Sequence, residues 1–336
     1  MDNFAHIQEE NSTDRYTLMM QEKRIIKRTS NLIGAAFLIL CIAPSVVNGA
    51  IIDIVKISGQ QQLFTELFSN KMVVMFIEII LSLLIFIPPF LIIPKGIGKS
   101  VSETVSFNKP NINLFLPMVL LGVGTIAFAN VATNSISSFF SGFGIVFSSP
   151  NIEYPTGLFG FIISFIAVAI VPALTEEFAM RGTVLGSLKN FGDAFALSVS
   201  TLLFAMMHGN FVQVPFAIIM GFVIGFAVIK TGSIWTGILI HAINNGISVL
   251  IYYATLKVES VILNNAIYVL YFGICVLCFF AGIFLAQRRD EKIWTLNKGE
   301  MFLPMSERIV CFFSSPLVIV SLGITLIKCI TSVNIA

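Results

Sequence analysis

The sequence predicts an all-α protein, a polytopic transmembrane bundle of eight to nine helices. Three observations carry that expectation. The 336 residues are 56% hydrophobic and only 11% charged, against roughly 25% charged in soluble domains, and the mean hydropathy is +0.92. The apolar residues gather into runs at 31–52, 72–93, 113–133, 157–179, 194–208, 214–229, 234–254, 264–286 and 309–327. A membrane-crossing helix needs about 20 apolar residues, within a range of roughly 17 to 25, so these runs are too long for strands. A helix also satisfies its own backbone in lipid.

In chain order, residues 1–30 form a polar, charged N-terminal tail with no apolar stretch of the signal-peptide kind, so the first span is expected to be retained. Residues 31–156 supply N-terminal transmembrane helices, and residues 157–255 a core in which the runs at 194–208 and 214–229 are short. Residues 256–336 supply C-terminal helices. The stretch 134–156, rich in Ser, Phe and Gly and holding Pro150 and Pro155, reads as an external connector; 287–308 reads as a cytoplasmic linker. The last run carries Pro316 and ends near a lone Lys328, and is the least regular span.

Charge sets the orientation. With the N-terminus in the cytoplasm, all but Lys56, Lys71, Lys257 and Lys328 of the 20 Lys and Arg fall on the inside, as the positive-inside rule requires. The expectation is a multi-pass protein of the cell (plasma) membrane with a cytoplasmic N-terminus. Of partners, the lipid bilayer is expected and nucleic acid is not. Cys41, Cys275, Cys278, Cys311 and Cys329 all lie in or beside apolar runs, where they read as small apolar helix residues. The CxxC of 275–278 has no His or third Cys nearby.

The chemistry concentrates in VPALTEEFAMRGTVLGSLK, residues 171–189. An ionisable group within hydrocarbon costs at least a few kcal/mol and marks a functional site by default; Glu176, Glu177 and Arg181 put three in six residues. Adjacent helical residues point about 100° apart, so the two acids have different roles. Glu177 and Arg181 are spaced i,i+4 with the acid first, the favourable order for an ion pair. Glu176 has no such partner on its own helix and is left as the candidate general base.

The chain has three His, of which His6 lies in the polar tail. If one helix runs through to Lys189 and the chain turns at Asn190-Phe191-Gly192-Asp193, Glu176 and His208 stand at nearly equal depth on an antiparallel pair. His241 opens HAINN, with Asn245 four residues on and on the same helix face, and Asn244 on another. An imidazole and a carboxamide on one stripe suit metal ligation or hydrogen bonding to an oxyanion. Counted from the inner ends of their spans, His241 comes out shallower than His208, unless a short helix tilts. Glu78, in the second run, stands alone and reads as a structural or bundle-facing acid.

Missing motifs narrow the chemistry. There is no HExxH and no GxSxG, and NFGD at 190–193 is not followed by a paired intramembrane Asp. What remains suits water activation by Glu and His with oxyanion support, on a peptide bond reached from the membrane.

These residues resemble a known family. TEEFAMRG fits E-E-x-x-x-R at Glu176, Glu177 and Arg181; FAMMH fits F-x-x-x-H at Phe204 and His208; HAINN fits H-x-x-x-N at His241 and Asn245. In this order, on successive apolar segments over about 157–255, they are similar to the CAAX-processing and bacteriocin-processing (CPBP, or Abi) intramembrane proteases, relatives of the type II CAAX prenyl endopeptidase. The resemblance implies that Glu176 activates the attacking water with help from His208. His241 and Asn245 form the oxyanion hole or complete a metal site, Glu177 and Arg181 hold Glu176 in place, and Phe204 orients the His208 ring. Two His and a Glu from three helices fit either a zinc or other divalent-metal set at His208, His241 and Glu176 or a metal-free glutamate mechanism, and both stay open. The substrate implied is a bacteriocin, a signal peptide or a CAAX-like protein. Two rivals are a non-catalytic immunity or scaffold protein of the same fold, and a proton-coupled transporter; the second lacks the matching broken-helix halves that transporters often show.

Overall fold

A computed structural model describes residues 2–148, 153–256, 258–299 and 302–335, with the backbone alone at 2–13 and 335. Pro150, Lys257 and the His6 side chain lie outside what is described. In order, the elements are α1 (Asp2–Ser58), α2 (Gln61–Ser69), α3 (Lys71–Gly96), α4 (Val101–Thr104) and α5 (Ile112–Ser141). Then come β1 (Ile145–Phe147), α6 (residues 157–191), α7 (Asp193–Met206), α8 (Gln213–Thr231) and α9 (Ile234–Thr255). The chain ends with α10 (Val261–Arg289), α11 (Met305–Phe313), α12 (Pro316–Thr331) and β2 (Val333–Ile335). All nine apolar runs are helical, and α1 continues the first span back through the polar tail.

Among the described residues seven helices are long and apolar enough to cross a membrane, or eight if the pair α11–α12, bent by 74° at Pro316, is one span. The count, seven or eight against the eight to nine expected, is lower because α7 is short. Its 14 residues reach about 21 Å at 1.5 Å per residue, against a hydrocarbon core of about 30 Å. The chain turns back at residues 207–212 within the bundle, and His208 sits in that turn.

The basic segments meet at one end of the bundle. Lys23 pairs with Glu307 at 2.8 Å, Arg28 donates to the Gly96 carbonyl at 2.8 Å, and Lys230 donates to the Thr295 carbonyl. The 287–308 linker is pinned there. Asp193 N donates to Asn297 O at 2.9 Å, Asn297 N donates to Asp193 Oδ2 at 3.0 Å, and Arg308 donates to the Phe191 carbonyl at 2.7 Å. Buried Glu22 accepts from Phe302 N and Leu303 N at 2.8 and 3.0 Å. These bonds fix the α6–α7 turn, where Gly192 takes a φ of 100° open to glycine. Elsewhere, β1 of the 134–156 stretch pairs antiparallel with β2, and Lys71 pairs with Glu153 at 2.9 Å.

The core lies between α5, α6, α7, α8 and α9, with α10 packed on α5 and α12 on α1. Small residues permit the closest crossing: a Cβ at Gly124 would lie 2.2 Å from Phe279 N, and one at Gly282 2.5 Å from Leu121 N. Close approach at small residues is the usual basis of helix association in lipid. Large apolar side chains such as Val269 and Leu277 on α10 face outward, as a surface solvated by lipid requires.

Candidate active site

Helix α6 is continuous from residue 157 to 191, yet two of its stretches, Phe165–Ile170 and Phe178–Leu185, are wound as π-helix. The ordinary α-helical turn Val171–Glu177 lies between them. π-Turns inside α-helices concentrate at functional sites, and here they bracket the two carboxylates.

The buried pair comes first. Arg181 Nη1 donates to Glu177 Oε1 at 2.7 Å, and neither side chain is exposed. Arg181 Nη2 donates to the Gly221 carbonyl of α8 at 3.0 Å, and the guanidinium lies 4.1 Å from the Phe204 ring centroid. The expected i,i+4 pair is therefore present, and it has a second customer: His241 Nδ1 lies 2.8 Å from the same Glu177 Oε1. A carboxylate accepts, so the imidazole donates from Nδ1. Its Nε2 then points at Glu176 Oε2, 4.0 Å away. That gap is too long for a direct hydrogen bond and short enough for one water to touch both atoms. The two adjacent carboxylates thus address one imidazole at its two nitrogens.

His208 is oriented by its own helix. Its Nδ1 donates to the Phe204 carbonyl at 2.9 Å, which leaves Nε2 as the acceptor of the neutral ring. Phe204 stands edge-on to both imidazoles, with centroids 5.2 Å from His208 and 5.8 Å from His241. The depth mismatch anticipated between the two His does not keep them apart: both face Phe204 and both line one cavity.

Asn245 Nδ2 donates to the Val168 carbonyl at 3.0 Å, where the first π-stretch passes. Its Oδ1 accepts from Asn244 Nδ2 at 2.8 Å. Asn244 was expected on another face. Its side chain is long enough to reach across the 100° step, and it lines the same cavity as Asn245. Each carboxamide keeps an N–H beyond the bond it makes here.

These groups line one cavity of about 740 Å³, whose walls include Glu176, Phe204, His208, His241, Asn244 and Asn245. Glu177 and Arg181 stand behind that wall. Of the predicted site residues, Glu177, Arg181 and His241 form one bonded chain, Glu176 and His208 join them across the cavity, and Asn245 is tied to α6.

Several contributors escape a sequence reading. A Cβ at Gly237 would lie 3.2 Å from Glu177 Oε2, and one at Gly221 would lie 3.1 Å from Phe204 Cδ1 and 3.4 Å from Arg181 Nη2. These glycines make room for the buried pair, and GxxxG-like spacing on α8 (Gly221, Gly225) was the available signal. Glu78 on α3, read from sequence as standing alone, lines the same cavity, as do Cys41, Thr325 and Lys328 from α1 and α12.

The donor set was also expected to fit a zinc or other divalent ion. Among the described residues no group of three or more His, Cys, Asp or Glu converges as a metal-ligand set. Of the three candidates only His241 and Glu176 come within 4.0 Å of each other. The residues as placed do not form a closed set for a metal.

Residues 158–247 match the family model Rce1-like, described as type II CAAX prenyl endopeptidase Rce1-like. The matched segment runs from the start of α6 into α9 and contains all six predicted site residues. No curated protein matches the chain, and no solved structure does.

Proposed function

With an Rce1-like domain at residues 158–247 of an integral membrane protein as premise, we propose that the chain is an intramembrane endopeptidase. It hydrolyses a peptide bond of a membrane-associated peptide or protein. The observation that carries this reading is the 4.0 Å gap between Glu176 Oε2 and His241 Nε2, open to a cavity that also holds His208 and both carboxamides.

The reaction follows from the groups present. A water between Glu176 and His241 gives a proton to the Glu176 carboxylate as its oxygen attacks the carbonyl carbon. His208, fixed with Nε2 as acceptor, assists as a second base. The carbonyl oxygen becomes an oxyanion and takes hydrogen bonds from the remaining N–H groups of Asn245 and Asn244. Protonated Glu176 then returns its proton to the leaving amine as the C–N bond breaks, restoring the carboxylate. Glu177 holds His241 through Nδ1, and Arg181 balances the Glu177 carboxylate within the buried pair.

A membrane-reached substrate agrees with a site that lies within helices α6 to α9 and is walled by apolar side chains. The N-terminus is assigned to the cytoplasm of a plasma membrane, because the basic tail, the 287–308 linker and Lys230 share one end of the bundle. A bacteriocin, a signal peptide or a CAAX-like protein each has the chemistry of such a substrate.

The test is hydrolysis in labelled water. The purified chain in lipid vesicles, given a panel of membrane-inserted peptides in ¹⁸O water, should release fragments carrying one ¹⁸O in the new carboxylate. A panel left uncut under these conditions overturns the reading.

A further inference from the structure

The cavity has a wall that the Rce1-like segment does not supply. It is built by α1, α3 and α12, and it carries Lys328, the one Lys or Arg among the cavity-lining residues described. The side chain runs beside the catalytic turn: a Cβ at Gly209, next to His208, would lie 3.6 Å from Lys328 Cβ and 3.7 Å from its Cδ. Its ammonium donates to the Cys41 carbonyl of α1. The Cys41 thiol in turn meets Thr325 Oγ1, one turn earlier on α12, at 3.1 Å, so the stem is held in place from both sides.

What the ammonium lacks is a counter-charge. Among the described residues no carboxylate lies within 4.0 Å of it; the ion pairs of the chain are made elsewhere. A neutral carbonyl and the negative end of the α12 dipole hold a cation without neutralising it. Two of its three N–H groups remain for another acceptor. The acids of the cavity, Glu78 and Glu176, stand on other helices. An ammonium kept half-buried in a substrate cavity without a counter-charge is suited to bind an anion.

Resting on the peptidase reading, the geometry points to Lys328 as a specificity-determining residue. It binds a carboxylate of the peptide substrate on the His208 side of the bond to be cut. The α-carboxylate of a C-terminal segment and an Asp or Glu side chain share this chemistry. Either one, placed at Lys328, holds the peptide in register with Glu176. The tether to Cys41 alone would give a purely structural lysine, and the test separates the two.

Binding is measured on the Glu176→Gln chain, which keeps peptide intact, so the result stands apart from the hydrolysis test. The chain is placed in nanodiscs of neutral phosphatidylcholine. The probes are three fluorescent decapeptides of one apolar sequence: a C-terminal free acid, its C-terminal amide, and the amide with one internal Glu. The expectation is that the free acid, the Glu peptide or both bind about tenfold or more tightly than the neutral amide, equivalent to about 1.4 kcal/mol. The tighter binder identifies the source of the carboxylate. Adding Lys328→Gln, which keeps a donor for Cys41 and removes the charge, should bring all three to the same affinity; Lys328→Arg should preserve the difference. Equal binding of the three peptides by the Lys328 chain, a difference that survives Lys328→Gln, or no binding of any probe would each overturn the assignment.

Discussion

Glu177 and His241, 64 residues apart in sequence, are joined by one hydrogen bond of 2.8 Å from Nδ1 to Oε1. That bond fixes which imidazole nitrogen faces Glu176, and the same carboxylate oxygen also holds Arg181 at 2.7 Å. Glu177 is thus the joint between a buried charge pair and the reacting groups. Glu177→Gln should therefore lower cleavage by about 10²-fold, the scale of a small misplacement of a catalytic group, even in protein that remains folded. Initial rates on a cleaved peptide check this; an unchanged rate would separate Glu177 from the chemistry.

Arg181→Ala leaves Glu177 buried and unpaired, and should cost about 3–5 kcal/mol of stability. The effect should shrink when Glu177 is replaced as well, because the double variant buries no lone charge. Thermal melting of the two single variants and the double, read as a cycle, should give a coupling of at least about 1 kcal/mol. Additive losses would contradict the pair.

Phe204 touches both imidazoles and the Arg181 guanidinium. Phe204→Ala should destabilise by about 3–5 kcal/mol, while Phe204→Leu, nearer in volume, should keep the fold and lose activity. The check is activity per folded molecule in the Leu variant; full activity would reduce Phe204 to core packing.

Gly237→Ala places a methyl 2.7 Å from Val228 Cγ2 and 3.2 Å from Glu177 Oε2. Overpacking of this kind should cost about 1–3 kcal/mol and push the Glu177 carboxylate off His241. Melting temperature and cleavage rate should fall together; a neutral substitution would show that the space is not needed.

Much of this was legible in the sequence. The apolar runs predicted the helices, the Asn190–Asp193 breakers predicted the α6–α7 turn, and i,i+4 spacing predicted the Glu177–Arg181 pair. Those features are local, set by period and turn chemistry. The bond from His241 to Glu177 depends on how α9 crosses α6, which no spacing encodes. The meeting of His208 and His241 at Phe204 depends on how α7 and α9 pack, which hydropathy does not record. Glu78 and Lys328 looked isolated because their helices, α3 and α12, meet the catalytic helices only in the folded bundle. The π-wound turns around Glu176 leave no mark in hydropathy. Asn244 was set aside on helical angle alone, which neglects the reach of a carboxamide.

The ligand geometry bears on the metal reading as well. With His208, His241 and Glu176 not converging on one point, a strong chelator should leave cleavage unchanged. Loss of cleavage on chelation, restored by zinc, would require the three groups to close on an ion.

The most direct measurement is cleavage of one membrane-inserted peptide by the unsubstituted chain and by Glu176→Gln, each at matched, folded concentration in vesicles. The substitution keeps size and hydrogen bonding and removes the base. Cleavage by the first and a loss of at least about 10²-fold in the second is the predicted result. Equal cleavage by both would contradict water activation by Glu176 and, with it, the central claim.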